Sequence, residues 1–233
     1  MTGSPMPPTL DIPRIRALCF DIDGTLSDTD DQIVQKLARL LRPFRPLLKD
    51  KDETKAARRL IMAAETPGNW LMSVPDRLGI DDKLLLAADF FTRHNPGPLV
   101  KEHLLISGVV EMLTALQPRF PMSIVSARGQ RSSLHFLDAF DLQRFFPVIA
   151  TAHTCPHTKP FPDPILWAAE RMGVPPESCL MIGDTVVDIR AGRAAGAQTA
   201  GVLCGFGTPA ELRRAGADLL LESTSELAGV FGS

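Results

Sequence analysis

Residues 18–28, LCFDIDGTLSD, decide the fold. An apolar run typical of a buried strand ends in two aspartates, Asp21 and Asp23, and Gly-Thr follows at once. Side chains at positions i and i+2 of a strand point to the same face, so the two carboxylates are predicted to project together. Two like charges this close repel each other unless a cation, a shared proton or a reaction that uses both groups offsets the repulsion. The stretch therefore predicts a buried strand that ends at a functional site.

Five more short apolar runs follow along the chain, at 122–127, 148–152, 179–183, 198–203 and 218–222. Amphipathic helical patterns separate them, for example at 132–140, 164–172 and 186–197. Alternation of strand and helix is typical of a parallel sheet with helices on both faces. We therefore predict an α/β fold with a three-layer α/β/α, Rossmann-like core. In such sheets ligands bind at the carboxyl ends of the strands, where Asp21 and Asp23 lie.

The alternation has one long interruption. Between the first and second runs the sequence shows helical patterns separated by proline or glycine, and no convincing strand. We predict that residues 27–103 form an all-helical cap inserted into the core, with hinges near Ser27 and at 99–105. The remaining boundaries are a flexible tail at 1–13 and a catalytic core made of 14–26 and 104–233.

Composition limits the class of partner. The 233 residues include 25 Lys+Arg and 27 Asp+Glu, a formal net charge of −2, so the chain lacks the basic footprint of a nucleic-acid or anionic-membrane binder. No apolar run is long enough to span a membrane. The proline-rich start has no apolar signal region, and the four cysteines are scattered, which favours free thiols in a reducing compartment. We predict a cytoplasmic protein with a small-molecule partner; no feature predicts its oligomeric state.

Polar residues follow the other predicted strands at the same edge. Ser126 ends the second run, Lys159 lies in the loop after the third, and Asp184 and Asp188 follow the fourth. The excess of carboxylates predicts a hard divalent cation, Mg²⁺, that holds Asp21 and Asp184 together. The Lys and Ser side chains would bind an anion, for which phosphate is suited. Attack of Asp21 on phosphorus would give an aspartyl phosphate, which divides a difficult hydrolysis into two easier steps.

Four motifs in this order resemble the haloacid dehalogenase-like hydrolase superfamily. They are DIDGTL at 21–26, Ser126 at a strand end, Lys159 in KPFPDP, and GDTVVD at 183–188. The resemblance extends from about residue 14 to residue 231. The insertion after the first motif is similar to that of members with an α-helical cap, such as phosphoglycolate phosphatases. The resemblance implies a phosphatase that acts on a small phosphorylated metabolite.

The resemblance also implies roles for the aspartates. Asp21 attacks the phosphoryl group. Asp23 protonates the leaving oxygen and then activates water, while its backbone carbonyl binds Mg²⁺. Asp184 is a metal ligand, and Asp188 is a ligand or a partner of the ligands.

The remaining implied roles concern phosphate binding. Ser126 and the neighbouring backbone N–H, that of Ala127, bind the phosphoryl group. Lys159 orients Asp21 and neutralises charge.

Other functions use similar residues. A phosphosugar mutase of the same superfamily would also use an aspartate pair under a helical cap. A phospho-acceptor signalling module also groups carboxylates with Ser or Thr and Lys around Mg²⁺, but a second Asp two residues after the nucleophile favours turnover. A catalytically silent binding protein would not need the complete residue set.

Some residues have no role that the sequence decides. Arg128, two residues after Ser126, is predicted either to touch substrate or to be solvated. The loop HTCPH has metal-like residue types, His153, Cys155 and His157, but no second half to complete a zinc site. Four arginines of the predicted cap could bind an anionic substrate tail or face solvent: Arg42, Arg45, Arg58 and Arg59.

Overall fold

The computed structural model describes residues 10–28, 39, 41–47 and 104–232. The chain divides into two compact units, one made of residues 1–30 with 103–233 and the other of residues 31–102. In the second unit a 3-10 helix spans Arg42–Leu47, and Arg42 and Arg45 are exposed there. The rest of the predicted cap at 27–103, including Arg58 and Arg59, lies mainly outside the described residues, so the all-helical cap stays a prediction.

The first unit contains a six-stranded sheet in which every pairing is parallel. Its strands lie in the order β3-β2-β1-β4-β5-β6. Their bounds are β1 Ala17–Phe20, β2 Met122–Val125, β3 Val148–Ala150, β4 Cys179–Gly183, β5 Gln198–Val202 and β6 Leu219–Leu221. All six predicted strands are present, which confirms the parallel α/β fold.

The described residues of this unit form six α-helices, which pack on both faces of the sheet. They are α1 Val109–Leu116, α2 Gln130–Ala139, α3 Asp163–Met172, α4 Val186–Ala194, α5 Pro209–Ala215 and α6 Leu227–Val230. Leu18 and Phe20 of β1 belong to the same apolar cluster as buried residues of α1, α2 and α6, whereas Ala17 and Cys19 cluster with α3 and α4. This alternation produces the predicted three layers. Within the described residues, no helix combines the length and apolarity needed to cross a membrane.

The order and register of the strands determine which residues meet at the carboxyl ends of the strands, where the site is predicted. Phe20 is paired with Ile124 of β2 and with Ile182 of β4, and Asp21 N donates to Ile182 O at 3.0 Å. Because β1 is central, the residues that follow β1, β2 and β4 lie side by side. The chain order reverses direction between β1 and β4, and such a switch point is where parallel sheets bind ligands.

The two chain segments that lead to the other unit also lie beside each other. Ser27 and Leu105 form an antiparallel bridge. Asp28 N donates to Leu104 O at 2.8 Å, and Ile106 N donates to Leu26 O at 3.0 Å. The chain therefore leaves and re-enters this unit at one place, directly after the turn that carries Asp21 and Asp23.

Candidate active site

The turn after β1 carries the first two aspartates. The carbonyl oxygen of Ile22 accepts hydrogen bonds from the backbone N–H groups of Thr25, Leu26 and Ser27, which closes a tight turn. Gly24 lies at its tip with φ of 67°, a conformation that other residues adopt only with strain. Ile22 itself is fully buried. The sequence DGT therefore reverses the chain immediately after Asp21 and keeps that side chain at the end of the sheet.

Lys159 lies between two of the predicted site carboxylates. Its Nζ is 2.7 Å from Asp21 Oδ1 and 2.7 Å from Asp188 Oδ1. All three side chains are buried. Burial alone would lower the pKa of Lys159, but the two carboxylates outweigh it and the net shift is upward, so the ammonium keeps its charge. The loop after β3 thus delivers one buried cation to aspartates from two other elements.

Asp188 is fixed by the start of α4. Its Oδ2 accepts hydrogen bonds from Thr185 N at 3.0 Å and Thr185 Oγ1 at 2.7 Å, while Oδ1 bonds Lys159. Gly183 leaves the space for it, because a Cβ at that position would lie 2.3 Å from both Cβ and Cγ of Asp188. The GDxxxD spacing therefore places Asp188 by capping the helix and by close packing against the glycine.

Asp184 is held by hydrogen bonds from the loop that follows β5. Its Oδ2 accepts from Phe206 N at 2.8 Å, and its main-chain oxygen accepts from Gly207 N at 3.0 Å. A Cβ at Gly205 would lie 2.1 Å from Asp184 Oδ2, and one at Gly207 would lie 2.1 Å from Asp184 O. The glycines of this loop, CGFG at 204–207, therefore allow the backbone to approach the carboxylate closely.

Together these contacts concentrate negative charge. Oxygen atoms of Asp21, Asp184 and Asp188 lie within 4.8 Å of one another, and among the described residues this is the one group of His, Cys, Asp and Glu placed to hold a metal ion. Burial raises the pKa of Asp21 to about 7, Lys159 opposes the rise, and the charges of Asp188 and Asp23 add to it. Three buried carboxylates with one lysine leave an excess of negative charge. The all-oxygen donor set fits a hard divalent cation such as Mg²⁺.

Ser126 follows β2 directly and is buried. Its N donates to Ala150 O at 3.0 Å, and its Oγ accepts from Arg128 N at 3.1 Å. Ala127, between them, is exposed. The strand register brings Ser126 to the same edge as Asp21 and Asp184.

Asp23 has a different environment from Asp21. Its carboxylate forms a two-point ion pair with Arg128, in which Arg128 Nε donates to Oδ2 and Nη2 donates to Oδ1. The prediction that Asp21 and Asp23 project together assumed that the strand continues through both residues. The strand ends at Phe20 and a turn follows, so the period of two does not extend to Asp23. Its charge is still near enough to raise the pKa of Asp21.

Sequence reasoning missed two features of the site. One is Thr185, which anchors Asp188; its signal was the Thr-x-x-Asp spacing of a capping box. The other is the CGFG loop; its signal was a pair of glycines directly after a predicted strand. The HTCPH loop at 153–157 forms no zinc site. His157 Nδ1 lies 3.0 Å from Asp163 Oδ1. The group placed to hold a metal ion consists of Asp21, Asp184 and Asp188 and includes no residue of this loop.

Gly183→Ala is expected to destabilise the protein by about 1–3 kcal/mol, the usual cost of overpacking. The new methyl group would overlap Asp188 and displace it from Lys159 and Thr185. Chemical denaturation measures the effect. Gly229→Ala is the control, since nothing lies within 4 Å of a Cβ there and the residue is helical. Equal stabilities of the two variants would contradict the close packing described.

Comparisons with known proteins identify relatives that match almost the whole chain. The chain is 28% identical over 219 residues to the pyrophosphatase PpaX of Anoxybacillus flavithermus, covering 94% of this chain and 98% of that protein. It is 25% identical over 236 residues to the phosphoglycolate phosphatase of Escherichia coli, covering 94% and 93%. A solved structure of a Thermotoga maritima protein, proposed to be a beta-phosphoglucomutase, has a TM-score of 0.64 at 24% identity, covering 93% and 98%.

The family comparison covers the predicted catalytic, phosphate-binding and metal-binding residues. A model of the haloacid dehalogenase-like hydrolases matches residues 18–202, from β1 to the end of β5. That range includes Asp21, Ser126, Lys159, Asp184 and Asp188, in the order in which the sequence presents them. With this sheet order and this arrangement of side chains, the chain belongs to the haloacid dehalogenase-like hydrolase family.

Proposed function

We propose that this protein is a Mg²⁺-dependent phosphatase that hydrolyses a small phosphorylated metabolite through an aspartyl phosphate on Asp21. The observation that supports it best is the position of Lys159, 2.7 Å from both Asp21 and Asp188, beside the buried Asp184. In this arrangement Lys159 orients the Asp21 carboxylate and offsets its negative charge. A nucleophile that attacks a phosphate dianion needs both effects.

Asp21 is the nucleophile in this proposal. Lys159 occupies its Oδ1, which fixes the rotation of the carboxylate. Attack on phosphorus forms the Asp21–phosphate bond and breaks the bond to the leaving oxygen; water then cleaves the aspartyl phosphate. Both displacements are steps that positioning and electrostatic stabilisation accelerate.

The cation would be held by Asp21, Asp184 and the main-chain carbonyl of Asp23, with Asp188 as a further ligand or as the partner that positions Lys159. When bound, Mg²⁺ neutralises negative charge on the carboxylates and the phosphoryl oxygens. The two bonds from Thr185 and the one from Lys159 favour the positioning role for Asp188. Ser126 and the N–H of Ala127 would bind the transferred phosphoryl group.

Asp23 is the general acid and base in the proposal. It donates a proton to the leaving oxygen and then accepts one from the attacking water, so Asp23 ends the cycle in the protonation state in which it began. Its carboxylate is more exposed than that of Asp21, with 38% against 10% of the side-chain surface accessible. This exposure allows exchange of protons with solvent and product.

The proposed substrate class is inferred from the names of the relatives and from the net charge of the chain. Both curated relatives are named for small phosphorylated compounds, phosphoglycolate and pyrophosphate. A net charge of −2 supports a small-molecule partner over nucleic acid or an anionic membrane. Free cysteines, two of them buried, support a reducing compartment, which we take to be the cytoplasm.

A phosphosugar mutase of the same superfamily is the second candidate, because it would use the same aspartate pair, Asp21 and Asp23. The likeness to the Thermotoga maritima structure, at 24% identity, shows the fold alone. A mutase returns the phosphoryl group to a sugar and needs a bisphosphate to prime it, whereas a phosphatase gives it to water. Release of inorganic phosphate in the absence of any bisphosphate would support the phosphatase.

Hydrolysis is expected to fall in excess chelator and to recover with added Mg²⁺. Ca²⁺ should bind the three converging carboxylates but inhibit hydrolysis, because it is larger than Mg²⁺ and its coordination is looser. The measurement is phosphate release from a panel of phosphorylated metabolites, with and without each metal. Full activity in chelator would contradict the metal assignment, and no hydrolysis of any phosphoester would contradict the function.

A further inference from the structure

The ion pair between Arg128 and Asp23 raises a question for the proposed mechanism. Both oxygens of the Asp23 carboxylate accept hydrogen bonds from the guanidinium. A carboxyl group that passes a proton to a leaving oxygen must direct one oxygen at that atom. Asp23 therefore has to leave the pair, at least in part, before it acts as the acid.

Arg128 is the fixed partner of the two. Its main chain is held on both sides, by Arg128 N to Ser126 Oγ at 3.1 Å and by Ala152 N to Arg128 O at 2.9 Å. Its guanidinium carbon lies 5.5 Å from the centroid of the Phe136 ring, within the range of a cation–π contact. Its side chain is 11% exposed, against 38% for Asp23. When the pair separates, Asp23 moves and the guanidinium stays.

The guanidinium is also placed at the proposed reaction centre, because it donates to both carboxylate oxygens of Asp23, the proposed general acid. Arg128 is two residues after Ser126, and its main-chain N–H donates to Ser126 Oγ. A substrate whose phosphoryl group lies at Ser126 therefore presents the rest of its chain near a partly buried cation. That cation already holds a carboxylate through two parallel N–H···O bonds, the geometry in which arginine recognises carboxylates.

We propose that Arg128 is a specificity-determining residue that holds the Asp23 carboxylate until a carboxylate of the substrate replaces it. The inference rests on the proposed phosphatase function and narrows its substrate class to short phosphoesters of hydroxy acids. One exchange then does two things. It binds the substrate's second anionic group, and it frees the Asp23 carboxylate, which takes a proton from solvent and then acts as the general acid beside the phosphoryl group.

The test compares two substrates that differ at one group, 2-phosphoglycolate with a carboxylate and 2-hydroxyethyl phosphate with a neutral hydroxymethyl. Wild-type enzyme should prefer the carboxylate substrate in kcat/KM. In Arg128→Gln that preference should fall about 10- to 100-fold, the value of a hydrogen bond to a charged group. Turnover of the neutral substrate should rise, up to about fivefold, because Arg128 no longer holds the Asp23 carboxylate in the ion pair.

Two further variants complete the design. Arg128→Lys keeps the charge but loses the two-point geometry, and it should recover part of the preference. Arg131→Gln removes the same charge from an exposed position three residues later on α2 and should keep the wild-type preference.

The ratio of the two kcat/KM values decides the outcome. A wild-type enzyme without preference overturns the inference before any variant is made, and so does an Arg128→Gln enzyme that keeps the ratio, whether both rates fall together or neither changes. Hydrolysis of an aryl phosphate distinguishes failure of the inference about Arg128 from failure of the proposed phosphatase function. If wild type hydrolyses the aryl phosphate and the ratio is unaffected by Arg128, only the inference is wrong; if nothing is hydrolysed, the proposed function is wrong.

Discussion

Asp21→Asn is expected to leave no detectable hydrolysis of any phosphoester, and no labelled phosphate bound to the protein. The amide cannot attack phosphorus, and the other buried carboxylates of the site are fixed by partners of their own. Asp188 already accepts hydrogen bonds from Lys159 and Thr185, and Asp184 accepts one from Phe206 N. Rapid mixing with labelled substrate, followed by acid quench, measures both quantities. A covalently labelled variant would mean that another residue is the nucleophile.

The same substitution is expected not to destabilise the fold. Burial and the neighbouring carboxylates raise the pKa of Asp21, which means that the folded protein disfavours its ionised form. A neutral amide removes that repulsion, and Lys159 keeps Asp188 as a partner. In chelator, the Tm of Asp21→Asn should therefore equal or exceed that of wild type. Asp138→Asn, an exposed change on α2, is the control that should alter neither activity nor Tm.

The sequence predicted most of the sheet, because each strand carries its own signal. A run of apolar residues between helical patterns indicates a buried parallel strand, and six such runs became β1 to β6. The position of the site followed from the same argument. Residues that come directly after neighbouring parallel strands must lie at one edge, so Asp21, Ser126 and Asp184 could be grouped without coordinates.

The parts that the sequence did not predict depend on contacts between distant segments. Cys204 Sγ lies 3.4 Å from Gly24 O, and Thr224 Oγ1 donates to Thr25 O at 2.5 Å, so loops after β5 and β6 support the turn after β1. No local pattern indicates such pairs. The same holds for Arg128 and Asp23, which are 105 positions apart and meet because β1 and β2 are adjacent.

Asp23→Asn is expected to slow turnover by about 10²–10⁴-fold, the usual value of a general acid–base group, and by an amount that depends on the leaving group. An aryl oxygen leaves without much protonation, so phosphoryl transfer to Asp21 should partly survive. Attack of water on the aspartyl phosphate then lacks its base, and labelled phosphate should accumulate on the protein. With an alkyl phosphate the departing oxygen needs the proton, so both steps should fail.

The accumulation of label separates the acid–base role from loss of the ion pair. Asp23→Asn and Arg128→Gln both break the contact between these two side chains, but only the first removes the carboxylate. With an aryl phosphate, Arg128→Gln should therefore turn over without storing phosphate, whereas Asp23→Asn stores it. Equal storage in both variants would assign the defect to the broken pair.

In the wild type the phosphoenzyme should be short-lived. A lifetime of minutes would favour a phospho-acceptor module over an enzyme, because such a module depends on a lasting phosphorylated state.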